Sequence, residues 1–181
     1  MERAAIPHSV RHVFDGRVFR VFVESITLPK GDDLDVEVIR HPGSVVLIPV
    51  TVEGDVILVR QYRHAIGKWA WELPAGSLKS GEDIREAARR ECHEEVGLVA
   101  ERLEPLGAFF PTPGYCDELM HFFKASGLRA PRVDEHAQPD DDEDIEPRAF
   151  SLEAIRQMIR AGEIIDLKTV GGLSLLATAR A

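Results

Sequence analysis

Three glutamates crowd one short stretch of the chain. In GSLKSGEDIREAARRECHEEVGL, residues 76 to 98, Glu91, Glu94 and Glu95 fall on about one helical turn, with Glu91 and Glu95 on the same face. Like charges at that spacing destabilise a helix by about 0.2–0.5 kcal/mol per pair. Carboxylates gathered this way suit a hard divalent cation. Mg²⁺ takes oxygen ligands, keeps several waters and binds through a few carboxylates together with substrate phosphates. Two or more such ions can activate a water and neutralise a diphosphate. Arg89 and Arg90 stand beside the glutamates and can pair with them. For three clustered glutamates alone, the plainer alternative is a solvated acidic helix face.

A helix must hold these side chains. Ile84, Ala87, Ala88, Cys92 and Val96 lie at offsets 0, 3, 4, 8 and 12, one apolar stripe, which predicts a helix over 82–96. Ser80 with Asp83 reads as a capping box, with Asp in place of the usual Glu or Gln. Gly97 stands where a C-terminal cap belongs. Upstream, segments 17–28, 35–40, 44–51, 56–63 and 69–73 read as strands, separated by the turns at 29–33 and 53–55. The third is nearly continuously apolar, as in a buried strand, although Pro49 marks it as an edge or bulge. Residues 1–11 show no clear period. Downstream, 103–110 and 118–124 read as strands around the loop PTPGYCD, and 127–144 as a polar loop ending in DDDED. A strand at 145–150 is interrupted by Pro147, Ser151 caps a helix through Ala161, and 167–179 form a last helix despite Gly171 and Gly172. The mix is α+β.

Totals narrow the function classes. The 181 residues suit one domain with a small extension, and 44% hydrophobic content is enough for a packed core. A formal net charge of −9 argues against sequence-independent binding to a phosphate backbone. Cys92 and Cys116 form no metal spacing and read as two reduced thiols. The first residues carry no secretory h-region, and no apolar run approaches the ~20 residues that cross a bilayer. Neither nucleic acid nor membrane is expected as a partner, and the expected address is the cytoplasm.

The spacing of the whole stretch adds more. Gly76, five residues, Glu82, seven residues, then Arg90-Glu91-Cys92-His93-Glu94-Glu95-Val96-Gly97-Leu98 resembles the Nudix box, GX5EX7REUXEEXGU, in all seven fixed letters. Cys92 departs mildly at an aliphatic position, which a small apolar thiol can fill. The resemblance implies a Nudix-type α/β/α sandwich with a mixed sheet and cleavage of a nucleoside diphosphate linked to another moiety. It implies a hydrolase domain over 43–181, preceded by an N-terminal antiparallel β extension over 1–42. It also implies that Glu91 and Glu95 bind Mg²⁺ (or Mn²⁺), with Glu94 and the Ala75 backbone carbonyl as further ligands. Gly76, Glu82, Arg90 and Gly97 would brace the box, the two glycines where the backbone must turn.

Outside the box, RQYRHAIGKWAWELPAG (60–76) and PTPGYCDE (111–118) resemble ADP-ribose pyrophosphatases, which carry a proline about fifteen residues past the box, where Pro113 stands. Tyr115, seventeen past it, lies near where dinucleoside-polyphosphate hydrolases carry a tyrosine, but the surrounding Pro-Gly-aromatic-x-Asp-Glu favours ADP-ribose. DDDEDIE (140–146) resembles the late acidic loop of the same subfamily, which implies Glu143, with Glu146 as second choice, as a metal ligand or catalytic base. A water deprotonated by Glu143 or by a box glutamate would attack one phosphorus in line, releasing AMP and ribose 5-phosphate. Arg63, Glu118, Pro113, Gly114, Phe19 and Glu37 are the implied substrate contacts. Arg63 and Glu118 could equally be surface side chains, and Trp69 and Trp71 fit the core better than an adenine platform. A homodimer formed by swapping the N-terminal strands is implied as well. GDP-mannose or another nucleotide sugar is the alternative substrate, and a non-catalytic nucleotide sensor the alternative class. His8 and His12 share an HxxxH spacing that binds metal only on a helix, of which there is little sign.

Overall fold

The computed structural model describes residues 6–133 and 145–178. Three strands open the chain, β1 (Pro7–Asp15), β2 (Arg20–Thr27) and β3 (Asp33–Arg40), paired antiparallel in the order β1-β2-β3. Next come β4 (Ser44–Pro49), β5 (Val56–Arg63), a short 3₁₀ turn at His64–Ile66, β6 (Lys68–Glu72) and β7 (Ala75–Ser77). Helix α1 (Ile84–Val96) is followed by β8 (Val99–Phe109), β9 (Met120–Arg129) and β10 (Glu146–Phe150). Helices α2 (Leu152–Ala161) and α3 (Leu167–Thr178) complete the described chain.

The centre is a mixed sheet ordered β7-β4-β9-β8, in which β4 and β9 run parallel and the other pairs antiparallel. All six residues of β4 are buried, which is why SVVLIP reads as one apolar run rather than an alternation. Successive side chains of a strand point to opposite faces, and β4 supplies both. Val45 and Leu47 pack with Ala87, Ala88, Cys92 and Val96 of α1, together with Phe123 and Ala125 of β9. Val46 and Ile48 pack on the other face with Ile155 and Met158 of α2, Leu176 of α3 and Phe122 of β9. The result is helix, sheet, helix, the α+β sandwich expected. A second small sheet, β10-β5-β6, joins the first through the turn after β4, where Val50 bridges Val56.

Prolines fall where strands tolerate them. Leu47 sends its N–H to the Pro74 carbonyl on the β7 side, whereas Ser44 and Val50 send theirs to the β9 side. By that alternation the missing N–H of Pro49 lies on the β7 side, beyond the last β4–β7 pair at Val46 and Ala75. Pro147 does not interrupt β10, because among the described residues β10 is an edge strand paired with β5 alone.

Four expectations need correction. Residues 7–15 form a strand that begins inside the stretch 1–11, where the sequence shows no clear period; most of β1 is exposed and a register shift falls between His12 and Phe14, so no apolar alternation marks it. His8 and His12 therefore sit on a strand, where His12 meets Asp15 at 3.0 Å. Helix α1 begins at Ile84, capped by Asp83 rather than Ser80: the Asp83 carboxylate accepts the N–H groups of Arg85 and Glu86 at 2.9 and 3.2 Å. Strand β9 runs on through 129, into the stretch expected to be loop. Trp69 is not core; it is half exposed, with Arg60 over its ring and Tyr62 beside it, whereas Trp71 packs edge-on against Phe150.

Candidate active site

Helix α1 turns its apolar stripe to the sheet, yet two of its glutamates are buried with it. Glu91 is 7% exposed and Glu95 5%. A buried carboxylate requires partners. The Ala75 N–H donates to Glu95 Oε2 at 3.0 Å, which ties the helix to the first residue of β7. Glu91 lies against Gly76, so close that a Cβ on that residue would fall inside the carboxylate. Gly76 is therefore required by close approach and not by a turn, since its φ is not positive. Gly97 does turn the chain: its φ is +73° and its N–H donates to the His93 carbonyl at 3.1 Å.

Arg90 is the hub of the cluster. Its Nε and Nη2 grip Glu82 in a two-pronged pair at 2.7 and 3.0 Å, while Nη1 reaches Glu91 at 2.5 Å and Glu94 at 2.7 Å. Nη2 also reaches the Ser77 carbonyl, at 3.4 Å. Glu82 in turn accepts the Lys79 N–H at 3.0 Å, closing the loop between β7 and α1. The hydrogen bond from Arg90 is the main cause holding the Glu82 carboxyl below its ordinary range, and Arg90 itself is raised by Glu82. One guanidinium thus faces three carboxylates, which relieves part of the repulsion noted at helical spacing.

Two cavities meet at β7. One, of about 330 Å³, is bounded by Ala75–Lys79, Arg90, Glu91, Glu94, Glu95 and the β1–β2 turn residues Arg17 and Val18. The other, of about 490 Å³, shares Ala75, Gly76 and Ser77 and extends past Ser44, Arg63, Glu72, Glu118 and Lys168. In it, Arg63 holds the buried Glu72 through Nε at 2.9 Å and Nη2 at 2.6 Å, and Lys168 Nζ meets the same carboxylate at 2.5 Å. Burial pushes the Glu72 carboxyl up, but the bonds to Arg63 and Lys168 outweigh it and the group lies below its ordinary range. Glu118 accepts the Ser44 hydroxyl at 2.8 Å.

The other sequence candidates are dispersed. Glu37, Pro113 and Gly114 line a separate hollow of about 370 Å³. There the loop of residues 112–117 is tied to β3, with the Ile39 N–H on the Tyr115 carbonyl at 2.7 Å and the Asp117 N–H on the Ile39 carbonyl at 3.1 Å. Phe19, 40% exposed in the β1–β2 turn, lines none of these three spaces. Glu143 lies outside the described residues. Glu146 is exposed on β10 and pairs with Arg148 at 2.6 Å, lining neither cavity at β7. Sequence reasoning does not find Glu72, Asp166, Lys168 or Arg17. Glu72 stands in the WELPAG segment, but nothing in the sequence brings Asp166 and Lys168 to the larger cavity or Arg17 to the smaller one.

The donor set fits a hard divalent cation in chemistry: three carboxylates on one turn, and a glycine that leaves the backbone open against one of them. Among the described residues, no three Asp, Glu, His or Cys groups converge as an ion would require. Glu91 and Glu94 point to Arg90 and Glu95 to the Ala75 amide, so binding requires the first two to exchange part of the guanidinium contact for an ion. Among the described residues, no helix is long and apolar enough to cross a membrane.

Known proteins resemble this chain in sequence and in fold. The family model of the NUDIX domain matches residues 40–168. The chain is 35% identical over 164 residues to an ADP-ribose pyrophosphatase of Bacillus subtilis (strain 168), covering 91% of this chain and 88% of that protein. It is 39% identical over 158 residues to the methanol dehydrogenase activator of Bacillus methanolicus, covering 87% and 84%. A solved structure, "Crystal structure of ADP compounds hydrolase", superposes with a TM-score of 0.83 at 23% identity, over 97% of this chain and 94% of that one, a likeness of fold. The helix and loop that gather the three glutamates are thus part of a matched domain, and the chain belongs to the NUDIX domain family.

Proposed function

We propose that this chain is a pyrophosphohydrolase that cleaves ADP-ribose to AMP and ribose 5-phosphate with Mg²⁺, Mn²⁺ being able to substitute. The observation that carries this is the gathering of Glu91, Glu94 and Glu95 against β7, at the junction of two cavities large enough together for a dinucleotide-sized ligand. When bound, the cation would neutralise diphosphate oxygens and lower the pKa of a water. Glu91, Glu94, Glu95 and the Ala75 carbonyl would hold it. Arg90 keeps Glu82 and the loop in place while its bonds to Glu91 and Glu94 yield. Glu143 is our candidate for the base that takes the proton of the attacking water, with Glu146 as the second. Arg63 and Glu118, in the larger cavity, are the candidate substrate contacts.

Assembly and location belong to the same reading. The division at residues 42 and 43 separates the β1–β3 sheet from the hydrolase domain. Val10, Val13, Phe14 and Leu34 of that sheet are exposed, apolar surface that a second copy of the chain would cover in a homodimer. Two free cysteines agree with a cytoplasmic location.

A substrate panel tests the proposal. Purified protein with Mg²⁺ is given ADP-ribose, GDP-mannose, UDP-glucose, a diadenosine polyphosphate and NADH, and products are identified by chromatography. Preference for ADP-ribose, with AMP and ribose 5-phosphate as products, is expected. Preference for GDP-mannose or UDP-glucose would overturn the substrate and keep the reaction. Tight binding of ADP-ribose without turnover of any compound would make the chain a sensor.

A further inference from the structure

The first turn of α3 reaches a residue 96 positions earlier in the chain. Thr169 is fully buried, and its hydroxyl is engaged twice: it donates to Asp166 Oδ2 at 2.6 Å and accepts the Leu73 N–H at 2.8 Å. The same Asp166 oxygen accepts the Thr169 N–H at 3.0 Å and Lys168 Nζ at 2.9 Å, so the hydroxyl is held in place. Gly172, one turn on, faces the Leu73 side chain; a Cβ there would collide with Leu73 and press on Phe122. Leu73 is thus fixed by α3 at both its amide and its side chain.

Leu73 leads directly into the loop of the candidate site. The Pro74 carbonyl accepts the Leu47 N–H at 2.8 Å, and the Ala75 N–H donates to Glu95 at 3.0 Å. Gly76 then lies against Glu91. Each of four successive residues is pinned, and the first pin comes from a helix that contributes no glutamate to the cluster.

We propose that the first two turns of α3 are a positioning element for the cation site. Thr169 and Gly172 set Leu73, and through it the Ala75 backbone, in register with Glu95 and Glu91. Thr169 is a positioning residue; it lines neither cavity at β7. The proposal deepens the hydrolase assignment and rests on it for the activity readout alone.

Two readouts test it: Mn²⁺ binding to the free protein, followed by electron paramagnetic resonance, and steady-state turnover of ADP-ribose with Mg²⁺. Thr169→Val keeps the shape and removes the hydroxyl. It is expected to weaken Mn²⁺ binding and lower kcat by about tenfold each, as loss of an outer support of a metal site does, with KM little changed. Thr169→Ser restores the hydroxyl and both values. Ile155→Val, in the core cluster that also holds Leu73, lowers Tm and leaves both readouts alone. A Thr169→Val protein that loses Tm like Ile155→Val but keeps Mn²⁺ affinity and kcat would overturn the proposal. If that variant fails to fold, Gly172→Ala is read the same way, and unchanged Mn²⁺ affinity there would overturn it. A wild type that turns over no ADP-ribose, while Thr169→Val still weakens Mn²⁺ binding, supports the positioning role and sinks the substrate assignment.

Discussion

At Gly76 the absence of a side chain leaves the space that the Glu91 carboxylate fills. Any side chain there meets the Glu91 carboxylate, which is itself buried and held by Arg90. Overpacking of this kind costs about 1–3 kcal/mol. Gly76→Ala is therefore expected to lower stability by that amount in urea denaturation and to reduce kcat by about tenfold or more, since a displacement worth about 1.36 kcal/mol in the transition state is a factor of ten. A variant with unchanged kcat would show that Glu91 need not stay against β7. Cys92 offers a second residue-scale check. It is wholly buried, and burial pushes its thiol up to about 11, which leaves it a poor nucleophile. Cys116 is only partly buried. Alkylation of the native protein at pH 8 is expected to modify Cys116 and spare Cys92, as read by peptide mass spectrometry.

At the scale of elements, α1 and the loop before it are held by two different acids. Asp83 caps the helix, and Asp83→Ala is expected to cost about 1 kcal/mol, or about 2–4 °C in Tm. Ser80→Ala, by contrast, is expected to change Tm little. Glu82 locks the loop through Arg90. Its carboxyl is depressed in the folded chain, as is that of Glu72, so each stabilises the fold above the ordinary carboxylate range near 4.3 and loses that contribution as pH falls through its lower folded value. Thermal melts from pH 7 to pH 3 are expected to show Tm falling below about pH 4.3, less steeply in Glu82→Gln than in wild type. The contrast between these two acids also explains why the capping pattern misleads. Ser80-x-x-Asp83 has that pattern in one dimension, but Glu82 turns back to Lys79 and Arg90, and only Asp83 is left facing the helix amides.

For the whole molecule, what is legible in the sequence is local. The box letters fall within the single stretch 76–98 and β4 announces its burial on both faces, so α1, β4 and the acidic cluster can be placed from the pattern of residues alone. The features that are not legible depend on distant residues or on exposure. Thr169 meets Leu73 and Lys168 meets Glu72 across 96 positions each, which no spacing rule foresees. Strand β1 carries no apolar alternation because little of it is buried here. Trp69, a core residue by its type, is instead held at the surface by Arg60 and Tyr62. If a second copy covers the β1–β3 sheet, light scattering is expected to give twice the mass of the 20.2 kDa chain. Phe14→Ser with Val10→Ser should then shift the protein toward monomer.

In the proposed function, the buried glutamates Glu91 and Glu95 of α1 serve hydrolysis beyond any part they play in holding α1 to β7. The most direct measurement is the turnover of ADP-ribose with Mg²⁺ by wild type and by Glu95→Gln, compared at matched Tm. Glutamine keeps the shape and an oxygen to accept the Ala75 N–H while removing the charge. Turnover is expected to fall by about a hundredfold or more, equivalent to about 2.7 kcal/mol of transition-state stabilisation, with a folded and soluble protein. Undiminished turnover in the Glu95→Gln protein would contradict the account.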